Sequence, residues 1–387
     1  MDKLHFGIVG MGARGKALAQ LFQKNRNINL TAVCDNDDSR LKEWEVKAIA
    51  AYKNYDSFLR DSHVDAVFIA TPDQLHVDMV LKASQMNKHI LCEKPIGIHK
   101  DQVTNMYNEI KGRDTVFLAG YVLRYAPLLQ KVKKLIESGA VGKLITVEAT
   151  DHINYGGYAF FHDWHRKKAH TRSLLLQKAT HSLDIVKWMV DSKPNRLAAF
   201  GGRDVFGSNG ALSLFGHTIG NDLCCHGCEA RSTCGESIEN LEKLQNIRWS
   251  DNWPDSCVYA DEVDVEDNFT AMIQYENGVK LSYTLCLFTP EYKREYIFLG
   301  DKGMLQVDDV TNTITITYRH LKDIDTYKIT TEGNHMGGDE GLVEDFVKCV
   351  RTKANPIASL EDAVISTLTA IALQDSVDQK KIVTFNL

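Results

Sequence analysis

A short apolar strand, Leu4 to Val9, runs straight into Gly10-Met11-Gly12-Ala13-Arg14-Gly15, and a helical pattern follows from Lys16 to Phe22. No other stretch restricts the fold as much. In a G-x-G-x-x-G turn the first glycine makes the bend, the second lets a pyrophosphate approach the backbone, and the third lets helix and strand pack closely. The helix N-terminus then offers unpaired N–H groups and a positive dipole end to an anion. A second strand, Leu30 to Cys34, ends in Asp35. That acid lies about 20 residues beyond the turn, where a carboxylate accepts hydrogen bonds from an adenosine ribose. The expectation is a dinucleotide site preferring NAD to NADP, since a 2′-phosphate would meet Asp35. Nearby Arg40 softens the preference.

The alternation continues. Tyr55 to Arg60 reads as a short helix, Ala66 to Ala70 as a strand ending in Thr71-Pro72, and His76 to Met86 as a helix. His89 to Cys92 is a strand running into Glu93-Lys94-Pro95, followed by a helix pattern at Val103 to Ile110 and a strand at Val116 to Ala119. Strands and helices alternating at this spacing imply βαβ units and a doubly wound parallel sheet. Residues 1–120 are thus expected to form an α/β Rossmann domain. Ligands of such sheets bind beyond the carboxyl ends of the strands, which is where Thr71, Pro72, His76, Glu93 and Lys94 fall. Pro95 restrains Lys94 and stops the strand. A solvated Glu93–Lys94 ion pair is the plainer reading of those two residues alone.

Composition narrows the function classes. The 387 residues allow two or three domains, and 44% hydrophobic with 25% charged residues is ordinary for a soluble globular protein. A net charge of −6 argues against nucleic acid or an anionic membrane as the main partner. The N-terminus lacks a basic segment followed by a long apolar one, and no apolar run is long enough to span a bilayer, so a cytoplasmic location is expected. Nine cysteines, an odd count, make a poor disulfide framework.

Beyond residue 121 the pattern changes. A helix pattern at Pro127 to Glu137 is followed by strand runs at 144–149, 269–275, 279–286, 294–299, 313–318 and 326–330, with Asn277-Gly278 as a hairpin signal. Helices return at 341–351 and 360–377. This predicts an α+β domain over 121–387 with a large open mixed or antiparallel sheet, interrupted by a Cys-rich insertion at about 201–261. Before the segment Gln177-Lys178-Ala-Thr-His181-Ser-Leu-Asp184 lies a polar-aromatic cluster: Tyr155, His162, Trp164, His165 and Arg166. Flat rings suit sugar C–H faces, and His and Arg supply hydroxyl- or anion-directed hydrogen bonds. These residues, with Arg124 and Tyr125, are candidate substrate contacts.

The motifs Gly-Ile-Val-Gly-Met-Gly-Ala-Arg-Gly, Ala-Thr-Pro-Asp-Gln-Leu-His, Cys-Glu-Lys-Pro and Thr-His-Ser-Leu-Asp, in that order, resemble the family of glucose–fructose oxidoreductase, inositol dehydrogenase and MocA. The resemblance covers essentially the whole chain. It implies an NAD(P)-dependent oxidoreductase acting on a hydroxyl of a sugar, sugar derivative or cyclitol, with Lys94 and His181 as its catalytic residues. It also implies a homo-oligomer, dimer or tetramer, formed through the open sheet face. The family pattern there is Asp-x-x-x-His-x-x-Asp, and this chain keeps His181 and Asp184 but carries Gln177 in place of the first acid. Gln can orient an imidazole by a hydrogen bond but cannot hold an imidazolium by charge. Weight therefore shifts to Lys94 as base, with Lys178 a second cation able to lower its pKa. Two rival readings stay open. One is an NAD-dependent glycoside hydrolase working by transient oxidation, elimination and re-reduction, with His165, His162 or Tyr155 as the extra base. The other is a non-catalytic nucleotide sensor.

Cys225-x-x-Cys228, Cys234 and Cys257 have metal-ligand spacing, and a structural zinc would staple the insertion. Free thiols and a disulfide are the alternatives.

Overall fold

Six short strands form one all-parallel sheet: β1 (Leu4–Val9), β2 (Ile28–Cys34), β3 (Ala50–Tyr52), β4 (Ala66–Ile69), β5 (His89–Cys92) and β6 (Phe117–Ala119). Their order is β3-β2-β1-β4-β5-β6, so the direction of winding reverses between β1 and β4. β4 is buried along its whole length and β5 at all but its first residue, which explains their uninterrupted apolar runs. The computed structural model describes residues 3–47, 49–246, 253–331 and 333–386.

Two compact units divide the chain differently from the expected cut at residue 120. The first takes residues 1–127 and also 331–368, and the second takes 128–330 and 369–387. The late segment joins the first unit because its helix Gly338–Thr352 buries Leu342, Val343, Phe346 and Val347, and Phe346 meets Phe6 of β1 at 5.2 Å. Helical periodicity shows that such a face needs a partner, not which partner it finds.

The second unit is built on a nine-stranded mixed sheet, β14-β13-β12-β11-β7-β10-β9-β8-β15. Its strands are β7 (Leu144–His152), β8 (Pro194–Gly202), β9 (Asn268–Tyr275), β10 (Lys280–Cys286), β11 (Lys293–Gly300), β12 (Gly303–Asp308), β13 (Thr313–Tyr318), β14 (Ile324–Lys328) and β15 (Val383–Thr384). Neighbours are antiparallel except β7 and β10. Along β9, Phe269, Ala271, Ile273 and Tyr275 are buried while Thr270, Met272 and Gln274 are exposed, the period-two signature of a sheet covered on one face. The β9–β10 turn falls where expected, but only Gly278 takes a positive φ, +88°. Its N–H bonds to the Tyr275 carbonyl, so this is a longer turn closed by a left-handed glycine and not a two-residue one.

The insertion holds the helices Gly207–Phe215 and Ile238–Gln245, and its residues 247–252 lie outside the described residues. Asp267 anchors its entry by accepting the main-chain N–H groups of Val205 and Phe206 at 2.8 and 2.9 Å.

Candidate active site

All six strands of the first sheet are parallel, so their carboxyl ends share one edge, and the predicted cofactor residues gather there. Gly10 sits at φ +89°, and a Cβ on it would come within 2.5 Å of the Ala70 carbonyl oxygen. A Cβ on Gly15 would meet the Gly10 oxygen at 1.9 Å. Gly12 is different: the nearest atom to its Cβ position is an Arg40 guanidinium nitrogen 4.0 Å away, which leaves the backbone approachable. The turn therefore fits a dinucleotide's phosphates, which need a bare, accessible main chain at that point.

Asp35 is almost fully buried at the end of β2. It accepts the Met11 N–H at 2.7 Å and the Asp37 N–H at 2.9 Å, which fixes it beside the turn. Arg40 approaches the same carboxylate at 3.5 Å. His76 sets both ring nitrogens against main-chain carbonyls, Pro95 at 2.7 Å and Thr71 at 2.8 Å; burial lowers its pKa against the pull of both carbonyls, and the neutral ring donates to one of them. It thereby fastens the loop after β4 to the residues after β5. Its ring is engaged with the protein, contrary to the expectation that it would face a cofactor.

Glu93 and Lys94 follow β5, two strands from the glycine turn. Glu93 takes an Arg14 hydrogen bond at 2.5 Å, and Arg14 is also ion-paired to Asp339 at 2.7 Å. Asp339 in turn meets His335 Nδ1 at 3.1 Å. Sequence reasoning missed His335 and Asp339. The signal was present in a histidine set among glycines just ahead of an acidic helix start, but nothing in the sequence ties that segment to the glycine turn.

Arg124 and Tyr125 depart from expectation. The Arg124 guanidinium bonds the Ile357 carbonyl at 2.8 Å and Asp362 at 3.0 Å, and the Tyr125 hydroxyl bonds Asp345 at 2.9 Å. Both brace the late segment within the first unit and do not present themselves to a substrate.

In the second unit the helix carrying His181, Thr180–Val190, is preceded by a π-helical turn, Leu175–Ala179. The wider turn replaces the simple α-helical spacing that put Gln177, His181 and Asp184 on one face, and such turns recur at functional sites. Gln177, Lys178, His181 and Asp184 are all buried. Lys178 Nζ donates to the Tyr155 hydroxyl at 2.7 Å, and Tyr155 stacks on Tyr292 with centroids 6.0 Å apart. Beneath them Asp151 of β7 accepts Ser182 at 2.5 Å, Tyr283 at 2.8 Å and Arg294 at 2.8 Å. Burial alone would raise its pKa; Arg294 and Lys178 with these hydrogen bonds hold it below the usual carboxylate range.

The rest of the polar-aromatic cluster is split. Trp164 and His165 stack at 3.8 Å. His162 sets its two ring nitrogens against the Ser256 and Glu236 carbonyls at 2.7 Å; burial lowers its pKa against the pull of both carbonyls, and the neutral ring donates to one of them. Arg166 is ion-paired to Glu262 and bonds the Cys257 carbonyl. The last two fasten the insertion, which corrects their reading as substrate contacts: their polar atoms are already matched. All nine cysteines are free, and Cys225, Cys228, Cys234 and Cys257 line one cavity of about 30 Å³. Among the described residues, no three His, Cys, Asp or Glu side chains are arranged to hold a metal ion as they stand.

Comparison with known proteins agrees with this layout. Over 356 residues the chain is 26% identical to the Bacillus subtilis protein named as oxidoreductase YteT, covering 84% of this chain and 82% of that one. It is 26% identical over 262 residues to the 2,7-anhydro-N-acetylneuraminate hydratase of Escherichia coli, 66% of this chain and 64% of that protein. The fold matches scyllo-inositol dehydrogenase of Lactobacillus casei, solved with NAD(H) and scyllo-inositol, with TM-score 0.71, 20% identity and 99% of each chain covered. Residues 4–121 match the model of the oxidoreductase family with an NAD-binding Rossmann fold, and residues 129–306 match the GFO/IDH/MocA C-terminal domain. The chain belongs to the GFO/IDH/MocA family and is an NAD-binding oxidoreductase.

Proposed function

We propose that the protein transfers hydride between nicotinamide and a hydroxyl-bearing carbon of a sugar, sugar derivative or cyclitol. One observation carries this reading. Lys94 stands at the end of β5, on the same sheet edge as the glycine turn and two strands from it, where a nicotinamide would follow from pyrophosphate at the turn. The bound dinucleotide supplies the hydride acceptor. Gly12 admits its phosphates, Asp35 accepts hydrogen bonds from its ribose hydroxyls, and Lys94 takes the proton of the substrate hydroxyl. Sequence relatives named as inositol dehydrogenases support the substrate class.

The test is a nicotinamide absorbance assay with NAD across free sugars, cyclitols, uronates and aryl glycosides, with released aglycone read in the same wells. Net NADH with one class supports the dehydrogenase. A second reading has its own support. The Tyr155–Lys178 pair is a proton-handling group beyond the oxidation pair, Gln177 departs from the simple dehydrogenase pattern, and one relative is a hydratase. Aglycone release without net NADH would favour that cofactor-recycling chemistry.

Finer points belong to the same reading. Asp35 favours NAD over NADP, and Arg40 beside it makes the preference modest. Phe200 and Met272, 76% and 57% exposed on the uncovered sheet face, suit a homo-oligomer, which light scattering checks. Among the described residues no helix is long and apolar enough to cross a membrane. The nine free thiols suit the reducing cytoplasm. The four thiols lining one cavity suit a structural zinc that would draw them together as it displaces their protons. Metal analysis of protein purified without chelator decides it, and zinc-free protein would end the idea.

A further inference from the structure

Arg14 lies in the glycine turn, the second residue of the helix Ala13–Lys24, where the ordinary partner of an arginine is a phosphate. Its guanidinium is already committed. Nε donates to Glu93 Oε1 at 2.5 Å, and a terminal nitrogen is paired with Asp339 Oδ1 at 2.7 Å. The two carboxylates come from separate parts of the first unit. Glu93 immediately precedes Lys94, and Asp339 opens the helix Gly338–Thr352.

Both partners are themselves fixed. A Cβ on Gly120 would sit 2.9 Å from Glu93 Oε2, so the absence of a side chain there makes room for this carboxylate. Asp339 also holds His335 Nδ1 at 3.1 Å. The backbone leading to it turns through Gly333 at φ +77°, His335 at +50°, Met336 at +57° and Gly337 at +80°. Non-glycine residues in left-handed conformation persist only where the surroundings over-determine them. The pKa directions agree with a charged Arg14 and a charged Asp339. Burial alone opposes the Arg14 charge, but Glu93 and Asp339 hold it. Burial alone would raise Asp339, but His335 and Arg14 bring it to about 2.

We propose that Arg14 is a positioning residue: it ties the glycine turn to Glu93 and Asp339, and so sets Lys94 and the His335 segment for the nicotinamide end of the cofactor without itself binding phosphate. The proposal rests on the cofactor site argued above.

The test compares two ligands of the purified full-length protein. NADH carries the nicotinamide, whereas ADP-ribose carries the same adenosine and pyrophosphate without it. Calorimetric titration of Arg14→Gln is expected to weaken NADH about tenfold and leave ADP-ribose within about twofold, the size of a lost charge-assisted contact. Asp339→Asn should show the same split, and the double variant should be no worse than either single one, since both cut one tie. Thermal melts identify a variant that fails to fold, and the other single variant then carries the comparison. Equal loss of both ligands in Arg14→Gln would overturn the proposal by making Arg14 a phosphate ligand. Unchanged binding of both would overturn it too. Wild-type protein that binds neither ligand would remove the cofactor site and the proposal with it.

Discussion

The glycine turn of the first unit and the Cys-rich insertion of the second are both irregular, glycine-bearing backbone, but they are held in opposite ways. In the turn, Gly10 and Gly15 lie where any side chain would strike main chain, and Arg14 is balanced by two carboxylates. In the insertion, a Cβ on Gly210 would meet the Val205 oxygen at 1.9 Å, but Gly220, Gly227 and Gly235 have nothing within 4 Å of a Cβ position. Glu236 there is shifted by burial alone, and burial pushes the Cys225 thiol up to about 11. Steric contact and paired charge fix the first region without help. In the second, burial favours the protonated forms of these two groups, a balance that a ligand or a change of pH can alter.

The largest expected effect tests the steric half of that contrast. Gly15→Val should destabilise the first unit by more than about 3 kcal/mol, a size reserved for real overpacking or strain. Gly12→Ala, with open space around it, should leave the melting temperature unchanged while weakening NADH at least about tenfold. Gly227→Ala in the insertion should change neither. Calorimetric melts with NADH titrations read all three, and a Gly12→Ala protein that binds NADH normally would mean the turn is no phosphate cradle.

Next in size is the chemistry. Lys94→Ala is expected to lower turnover about 1,000-fold while NAD affinity stays within a few-fold, the mark of a general base. Loss of NAD binding instead would make Lys94 a cofactor holder. Asp151→Asn follows. It leaves Arg294, 6% exposed, without its closest carboxylate, a cost of about 3–5 kcal/mol for breaking a buried pair. Urea unfolding measures it, and an unchanged midpoint would mean that Asp309, 3.7 Å from Arg294, suffices.

What the sequence made legible follows the same division. Strands β1, β2, β4 and β5 were readable because buried parallel strands are continuous apolar runs punctuated by Gly, Asp, Thr-Pro and Glu-Lys-Pro, each with its own mechanism. The edge at which these residues meet follows from parallel pairing alone. Three things were not readable. Residues 331–368 join the first unit through the apolar face of a helix, and such a face does not name its partner. The π-helical turn at Leu175–Ala179 changes the helical phase over five residues, too few for periodicity to reveal. Arg124, His162 and Arg166 look from composition like ligand contacts, because the sequence does not show the carbonyls and carboxylates that already hold them.

The smallest expected effect tests the electrostatic half of the contrast. Burial raises Glu236 from 4.5 to about 7, so between those values the folded state binds more protons than the unfolded one. Stability of the insertion must therefore fall as pH rises from about 5 to 8. Asp339 runs the other way: its pKa is lowered from 3.8 to about 2, so its contribution is complete above the unfolded value and is lost as pH falls through the folded one. Hydrogen exchange at several pH values, corrected for intrinsic rates, should show protection of the Ile238–Gln245 helix declining from pH 5 to pH 8 while that of Gly338–Thr352 holds. Glu236→Gln should flatten the first profile and leave the second alone. Glu236 also lines the cavity with the four thiols, so a zinc ion bound there would favour its carboxylate and flatten the profile in the same way. A profile that is flat in metal-free protein, with Glu236 intact, would mean the side chain is solvated in solution and that the insertion is not held differently from the turn in this respect.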